Sequence, residues 1–415
     1  MRIEKIEKII DRSKEVFKRV SLENGAIVAA DSSSPIYPKG SPNYFYVWPA
    51  DAAHICIASD ILGLHDIPEK FFNWLLTRAE KIEDGWVFQR YDPNGMANGF
   101  LIFEIYSEEG LKTISKYQHE VTMWGRGGKR GGFRVQIQID NYGYIVWAFY
   151  KHKKFCKTKE CRTTTKKVIN SILDRLAKLW GADSFKILYH DRWEEKIGYP
   201  GVNITHSLLL SYLGFKLGME MVGEKNKWKK TFLSIKDTLK KAYVESENKW
   251  KAVFGNRYEK KNYLSLYTEL MRGDSFDPEI DSLLFSLVYP VDFVKKDERI
   301  EKFIDWLVEK IKIHKNHLGL GRYPGDTYNG IFIDGSSRYP GSKGNAWPIV
   351  NFWASIVYSR LENYQKAEKY FDWVISKVKE YIPEQITLDG KFRGPIPLAW
   401  SHAMFIIAAK ELGYI

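Results

Sequence analysis

Cysteine is scarce in this chain: Cys56, Cys156 and Cys161 are its three examples in 415 residues. An odd count fits a reducing compartment best, and the spacing of the last two is wrong for a common zinc knuckle. No apolar run approaches the length of a membrane span, and the N-terminus opens into a charged amphipathic helix rather than an apolar signal core. A cytoplasmic protein without a membrane partner is the expectation. Zinc-finger, RRM and Gly-Lys-Ser/Thr phosphate-loop patterns are missing, which argues against nucleic acid as a partner. No His/Asp/Glu spacing makes a metal site, so neither a metal nor another cofactor is expected. Strand alternation is scarce, and no Pro/Ser-rich linker divides the sequence, so a single domain over residues 1–415 is expected.

What is present is an ordinary globular balance, 44% hydrophobic and 27% charged, with enough length for a sizeable core. Aromatics reach 15%, including 14 Trp and 25 Tyr, and such rings suit sugars, which offer apolar C–H faces and polar edges. The net charge is +12, with a basic run from Lys151-His152-Lys153-Lys154 to Lys166-Lys167. From Lys225 to Lys241, however, lysines alternate with Trp228, Phe232, Leu233 and Ile235 as the wet face of an amphipathic helix would. Abundant Lys, Glu and Ile match a thermophile composition.

Helical periodicity dominates. Ile6, Ile9, Ile10, Phe17 and Val20 form one stripe, and Ile300, Phe303, Ile304, Leu307, Val308 and Ile311 another. Further helices are predicted near 68–82, 98–117, 138–152, 165–180, 204–218, 222–247, 279–289, 346–361 and 364–380. Segments apolar nearly all round, Ala52 to Leu62 and Leu398 to Ala409, alternate with segments charged on one face. This succession predicts an all-α fold: a toroid of antiparallel helix pairs with long loops forming the site at one end. The long irregular pieces are 22–48, 120–136, 183–202, 250–277 and 316–345.

Two carboxylate segments stand out among the loops: Asp191-Arg192-Trp193-Glu194-Glu195 and, far downstream, Pro383-Glu384-Gln385. Two separated carboxylates among aromatics are what glycosidic-bond cleavage needs, one protonating the leaving oxygen and the other activating water on the opposite face. Glu194 and Glu195 are adjacent, so they cannot both face the scissile oxygen; one is an acid and the other positions. Taken alone, a Glu-Glu pair on a loop is usually just solvated.

Three further segments join them: Asn43-Tyr44-Phe45-Tyr46-Val47-Trp48-Pro49-Ala50-Asp51, Gly321-Arg322-Tyr323-Pro324-Gly325-Asp326-Thr327-Tyr328, and Pro397-Leu398-Ala399-Trp400-Ser401-His402-Ala403. Gln138-Ile139-Asp140-Asn141-Tyr142-Gly143 and Gly344-Asn345-Ala346-Trp347-Pro348 add weaker matches. In this order the segments resemble the family-15 glycoside hydrolases, the group of glucoamylase, glucodextranase and certain trehalases, over most of residues 25–412. The resemblance implies an (α/α)6 barrel and an inverting mechanism on α-linked oligosaccharides or disaccharides. It implies Glu194 as general acid, Glu384 as general base and Glu195 as a ligand of sugar hydroxyls. Tyr44 would support the water or its base, Trp48, Trp193 and Trp347 would pack on sugar, and Asp51 and Arg322 would hold hydroxyls of the non-reducing unit.

Some positions depart from the pattern. Ala50 stands where the family usually has an Arg, Gly325 where an acidic residue is frequent, and Ile331 to Lys343 is inserted before Trp347. The β-sandwich that precedes the barrel in many prokaryotic relatives is not expected here. Ala50 keeps a second reading open, a sugar-binding homologue with weak or no turnover. For Arg322 with Asp326 the plain alternative is a loop salt bridge, and for His54 and His402 it is a satisfied interior histidine. The loop from Gly125 to Arg134 packs glycine with positive charge, as an anion site or a solvated turn would.

Overall fold

The computed structural model describes residues 2–39, 41–98, 107–117, 136–267, 275–328 and 344–415. The basic Gly-rich loop 125–134 and the insertion 331–343 lie outside these residues. In chain order the helices are α1 (Arg2–Val20), α2 (Pro49–Ile61), α3 (Asp66–Thr77), α4 (Glu108–Tyr117), α5 (Asp140–His152), α6 (Lys159–Leu179), α7 (Thr205–Val222), α8 (Asn226–Lys240), α9 (Lys260–Leu264), α10 (Glu298–Ile311), α11 (Pro348–Arg360), α12 (Tyr364–Lys377) and α13 (Ala399–Glu411). Strands are two residues long and pair antiparallel: β1 (Tyr189–His190) with β2 (Ile197–Gly198), β3 (Asn203–Ile204) with β6 (Val253–Phe254), β4 (Tyr243–Val244) with β5 (Lys249–Trp250), and β7 (Gln385–Ile386) with β8 (Phe392–Arg393).

The chain packs as two compact units. The first is Met1–Val47 with Asp51–Phe71 and Arg272–Ile415; the second is Trp48–Ala50 with Phe72–Met271. Both show the predicted alternation of helix types. In the first, α11 and α13 are buried almost all round, and α12 and α1 pack on them through one apolar stripe each. In the second, α5 and α7 are the buried pair, flanked by the striped α6 and α8. A helix with no polar face must be covered on every side, whereas a striped helix closes the core and turns its charges to water.

Local chemistry sets the helix starts. The Asp297 carboxylate accepts from Ile300 N at 2.9 Å to cap α10, and Asn363 and Thr158 cap α12 and α6 in the same way. Pro348 occupies the first turn of α11, where its missing N–H costs nothing. Gly143 of α5 lets α7 come close: a Cβ there would lie 2.1 Å from the Leu210 carbonyl oxygen.

Three expectations need correction. The helix predicted near 279–289 is a short 3-10 turn, Ser282–Leu287, capped by Asp281; its residues are all buried, but Pro290 stops any longer helix. The helix predicted to 247 ends at Lys240, where Lys241 N and Ala242 N turn back onto Thr238 O and Leu239 O; the chain then forms the β4–β5 hairpin, which reverses at Asn248, left-handed at φ 51°. Leu233 is 47% exposed, while Trp228, Thr231, Ile235 and Leu239 carry the buried stripe; at 100° per residue Leu233 falls on the other side.

The cysteine reading also changes. Cys156 and Cys161 form a disulfide with Cα atoms 5.6 Å apart, and Cys56 is a buried free thiol. The chain turns between the two cysteines into the start of α6, which brings them together despite their odd partner. Cysteine count therefore says nothing firm about the compartment. No described helix is long and apolar enough to cross a membrane.

His402, on α13, is an interior histidine with both ring nitrogens in use. The Ser13 hydroxyl donates to Ile9 O at 2.7 Å, so the Nδ1–H of His402 donates to Ser13 Oγ at 2.9 Å, and Nε2 accepts from Ile382 N at 3.0 Å. Protonating Nε2 would break that last bond, and burial lowers the pKa of the ring to about 3. The folded state therefore refuses a proton that the unfolded chain takes up below about 6.5. Stability from this residue is whole above that value and falls as pH drops, by about 2 kcal/mol at pH 5. Urea unfolding at pH 7 and pH 5 should show this loss, and the His402→Gln variant should lose less over the same interval.

Candidate functional site

In the first unit, Glu384 is the centre of a polar and aromatic cluster. The residue precedes β7, is 3% exposed, and is held by its backbone N–H donating to Pro395 O at 2.9 Å. The Tyr44 hydroxyl donates to Glu384 Oε1 at 3.0 Å and lies 3.4 Å from the Tyr328 hydroxyl. Burial first, and then the negative charge of Glu384, push the phenol of nearby Tyr37 above its ordinary value.

The aromatic wall continues through Tyr328 to Trp347, whose ring centroids are 6.0 Å apart, with Trp347 at the start of α11. The Arg322 guanidinium lies 5.0 Å from the Tyr328 ring and 5.1 Å from the Trp347 ring. It is 3% exposed and forks onto Asp326, Nε to Oδ2 at 2.8 Å and Nη2 to Oδ1 at 2.7 Å. The salt bridge expected as the plain alternative is thus present, and it fixes the plane of the guanidinium among the rings. Asp51 belongs to the first turn of α2 and is buried.

In the second unit, Glu194 sits on the turn that joins β1 to β2. Its backbone is left-handed, φ 67°, an uncommon conformation for a side-chain-bearing residue. The turn is held by Asp191, fully buried, whose Oδ1 accepts from Glu195 N at 2.9 Å and Lys196 N at 3.0 Å. The backbone adds Glu194 N to Asp191 O at 3.0 Å, and the buried Lys196 ammonium lies 3.9 Å from Asp191 Oδ2. Gln138 braces the same turn, donating to Asp191 O and accepting from Arg192 Nη1, each at 3.2 Å. Trp193 is 6% exposed; Glu194 and Glu195 are half-buried.

Trp48 is more than core. Its indole Nε1 donates to Glu194 Oε1 at 2.9 Å, and the Arg90 guanidinium lies 5.2 Å from its ring centroid. Arg90 also donates through Nε to Asn98 O at 2.6 Å. Ala50 is fully buried. Among the described residues, no group of three or more His, Cys, Asp or Glu side chains is placed to hold a metal ion.

The profile of glycosyl hydrolases family 15 matches residues 18–380. The chain belongs to that family. It is 26% identical to an uncharacterized glycosyl hydrolase of Methanocaldococcus jannaschii, over 94% of this chain and 53% of the relative, so it spans about half the length of that protein. Among solved structures it is similar to a glycosidase in complex with glucose (TM-score 0.68, 15% identity, 100% of this chain and 98% of the other). It is also similar to glucoamylase from Saccharomycopsis fibuligera (TM-score 0.65, 15% identity, 98% and 95%). These likenesses give the fold class, the all-α (α/α)6 type that the family resemblance implies.

Of the family-15 candidates, the structure joins Tyr44 to Glu384 and Trp347 to Arg322 in one cluster, and Trp48 to Glu194 in the other. Three participants escaped the sequence reading. Asp191 stands inside a quoted motif, but nothing in one sequence marks it as the brace of the turn. Arg90 lies outside every motif. Gly394 is the third: it approaches Glu384 so closely, at φ 69°, that a Cβ would lie 2.1 Å from Oε2 and 2.9 Å from Cβ. Gly394→Ala should therefore push the Glu384 side chain off Tyr44 and destabilise the fold by about 1–3 kcal/mol. Urea unfolding and a crystal structure of the variant check both, and an unmoved carboxylate would contradict the close approach.

Proposed function

We propose that this chain is an inverting, exo-acting α-glycosidase on short α-glucans or α-linked disaccharides. The observation that carries the reading is the paired environment of its two carboxylates. Glu194 is gripped by the indole of Trp48 on a braced turn, and Glu384 by the phenol of Tyr44 in a buried aromatic cluster. In the reaction, protonated Glu194 gives its proton to the glycosidic oxygen as the C1–O bond breaks. The Glu384 carboxylate takes a proton from water as the water oxygen bonds to C1 from the opposite face. Tyr44 holds Glu384 and the water in line. Glu195, Asp51 and Arg322 bind hydroxyls of the sugar, and Trp48, Trp193 and Trp347 cover its C–H faces.

Replacing either carboxylate tests the assignment. Glu194→Gln and Glu384→Gln should each lower turnover on maltose, isomaltose, trehalose, kojibiose or nigerose by orders of magnitude while leaving the unfolding midpoint nearly unchanged. Proton NMR of the first product from the parent protein should show β-glucose. Release of the α anomer would overturn the inverting mechanism, as would a sugar-complex crystal structure with the two carboxylates outside about 6.5–9.5 Å.

Ala50 supports a second reading, a sugar-binding protein with little turnover, because the family's usual Arg is gone. Arg90 weighs against it, since its guanidinium on the Trp48 ring supplies a permanent cation beside the indole that holds Glu194. A charge-assisted hydrogen bond to sugar is worth about 1.5–3 kcal/mol, so Arg90→Ala should lower kcat/KM roughly ten- to hundredfold. Ala50→Arg in the parent should lower activity further, because position 50 is fully buried. An Arg90→Ala variant as active as the parent would remove Arg90 from the site, and a gain of activity in Ala50→Arg would favour the second reading.

A further inference from the structure

After the turn that carries Glu194, the chain returns along β2, which begins at Ile197. The hairpin register sets Tyr189 opposite Gly198 and His190 opposite Ile197, and Asp191 N donates to Lys196 O at 2.8 Å. Antiparallel pairing alternates along a strand, so the N–H and C=O of Ile197 point away from β1. Among the described residues no further strand runs along that edge. Two phenols stand there instead, Tyr263 on α9 and Tyr267 four residues on. The Tyr263 hydroxyl donates to Ile197 O at 2.8 Å and accepts from Ile197 N at 3.0 Å. The Tyr267 hydroxyl accepts from the same N–H at 3.2 Å and donates to the Tyr263 oxygen at 2.9 Å.

A hydroxyl has one proton, and that fixes the direction of each bond. Tyr263 gives its proton to the Ile197 carbonyl, so Tyr267 gives its own to Tyr263. One phenol therefore holds both polar groups of a buried strand edge, and the second orients the first. Burial, then Tyr267, then the negative charge of Asp191 raise the Tyr263 phenol well above its ordinary value, so it stays a donor through neutral pH. Both rings pack in an apolar cluster with Leu188, Val202 and Val253, a packing that phenylalanine would keep. On the opposite edge of the hairpin, His190 N donates to Ile137 O at 2.9 Å. The two edges are thus tied separately, and the tie on the β2 side, which leads directly out of Glu194-Glu195-Lys196, is the phenol pair. The Glu194 carboxylate meets Trp48 Nε1 at 2.9 Å from this hairpin, and proton transfer tolerates little displacement of the donor.

We propose that Tyr263 and Tyr267 are positioning residues for proton donation: through Ile197 they fix β2, and with it the place of the Glu194 carboxylate beside Trp48. The proposal rests on the reading of Glu194 as general acid. A leaving group that departs without a proton separates this role from a general loss of structure. On the disaccharide that the parent cleaves fastest, Tyr263→Phe should lower kcat by roughly tenfold or more with KM within about twofold. On 2,4-dinitrophenyl α-glucoside, whose phenolate leaves unprotonated, the loss should be less than about threefold. Glu194→Gln should show the same dependence on leaving group, more strongly. If Glu194→Gln shows it and Tyr263→Phe loses equally on both substrates, the phenols are only structural and the proposal falls while the reading of Glu194 stands. Equal losses in Glu194→Gln itself would instead remove Glu194 as the acid, and the proposal with it. A crystal structure of Tyr263→Phe should show Glu194 Oε1 beyond hydrogen-bond reach of Trp48 Nε1, and an unmoved carboxylate would overturn the proposal. Should Tyr263→Phe fail to fold, Tyr267→Phe keeps the bond to the Ile197 carbonyl; it should lose about threefold on the disaccharide alone, and parental kcat there would also overturn the proposal.

Discussion

The constraint on which the rest of the structure depends is that its central helices have no face for water. Gly143 to Ala148 in α5, Leu208 to Leu210 in α7, Ile349 to Ile356 in α11 and Ala399 to Ala409 in α13 are buried without a polar side. Such helices gain stability only when covered all round, so each needs amphipathic neighbours. The same requirement leaves polar chemistry to the segments at the helix ends. The turn at Glu194, the loop through Arg322 and the approach to β7 at Glu384 are all of this kind.

Polar groups in those segments are nevertheless buried, and the structure answers their desolvation by pairing. Asp191 accepts two backbone N–H groups and faces Lys196; Arg322 forks onto Asp326; Glu384 accepts from Tyr44. A buried charge without such partners costs several kcal/mol. Pairing also removes freedom, so each guanidinium or carboxylate is held in one orientation. The left-handed backbone at Glu194 belongs to the same economy: Asp191 stabilises a turn that the residue alone would not favour.

Family-15 membership rests on a profile match across most of the chain, whereas identity to the matched solved structures is only 15%. At that distance the fold persists because many sequences can supply an apolar helix or a striped one. Hydrogen-bond geometry is less forgiving. Trp48 Nε1 meets Glu194 Oε1 at 2.9 Å only because two segments far apart in sequence are held in register.

The sequence by itself determined the helix types, because 3.6-residue periodicity and all-round apolarity are local properties of the chain. It placed α1, α10, α11, α12 and α13 within a few residues, and its motifs named Tyr44, Trp48, Glu194 and Glu384. It misjudged 279–289, where apolarity alone did not reveal a 3-10 turn ended by Pro290, and it assigned Leu233 to the wrong side of α8. Only tertiary structure decided which distant groups meet. The Cys156–Cys161 pairing, the brace at Asp191, Arg90 over Trp48, Gly394 against Glu384 and the Tyr263 hydroxyl on Ile197 depend on atoms brought together by packing. A hydrogen bond is fixed within a few tenths of an ångström, and hydrophobic periodicity, which is non-directional, carries no information at that scale.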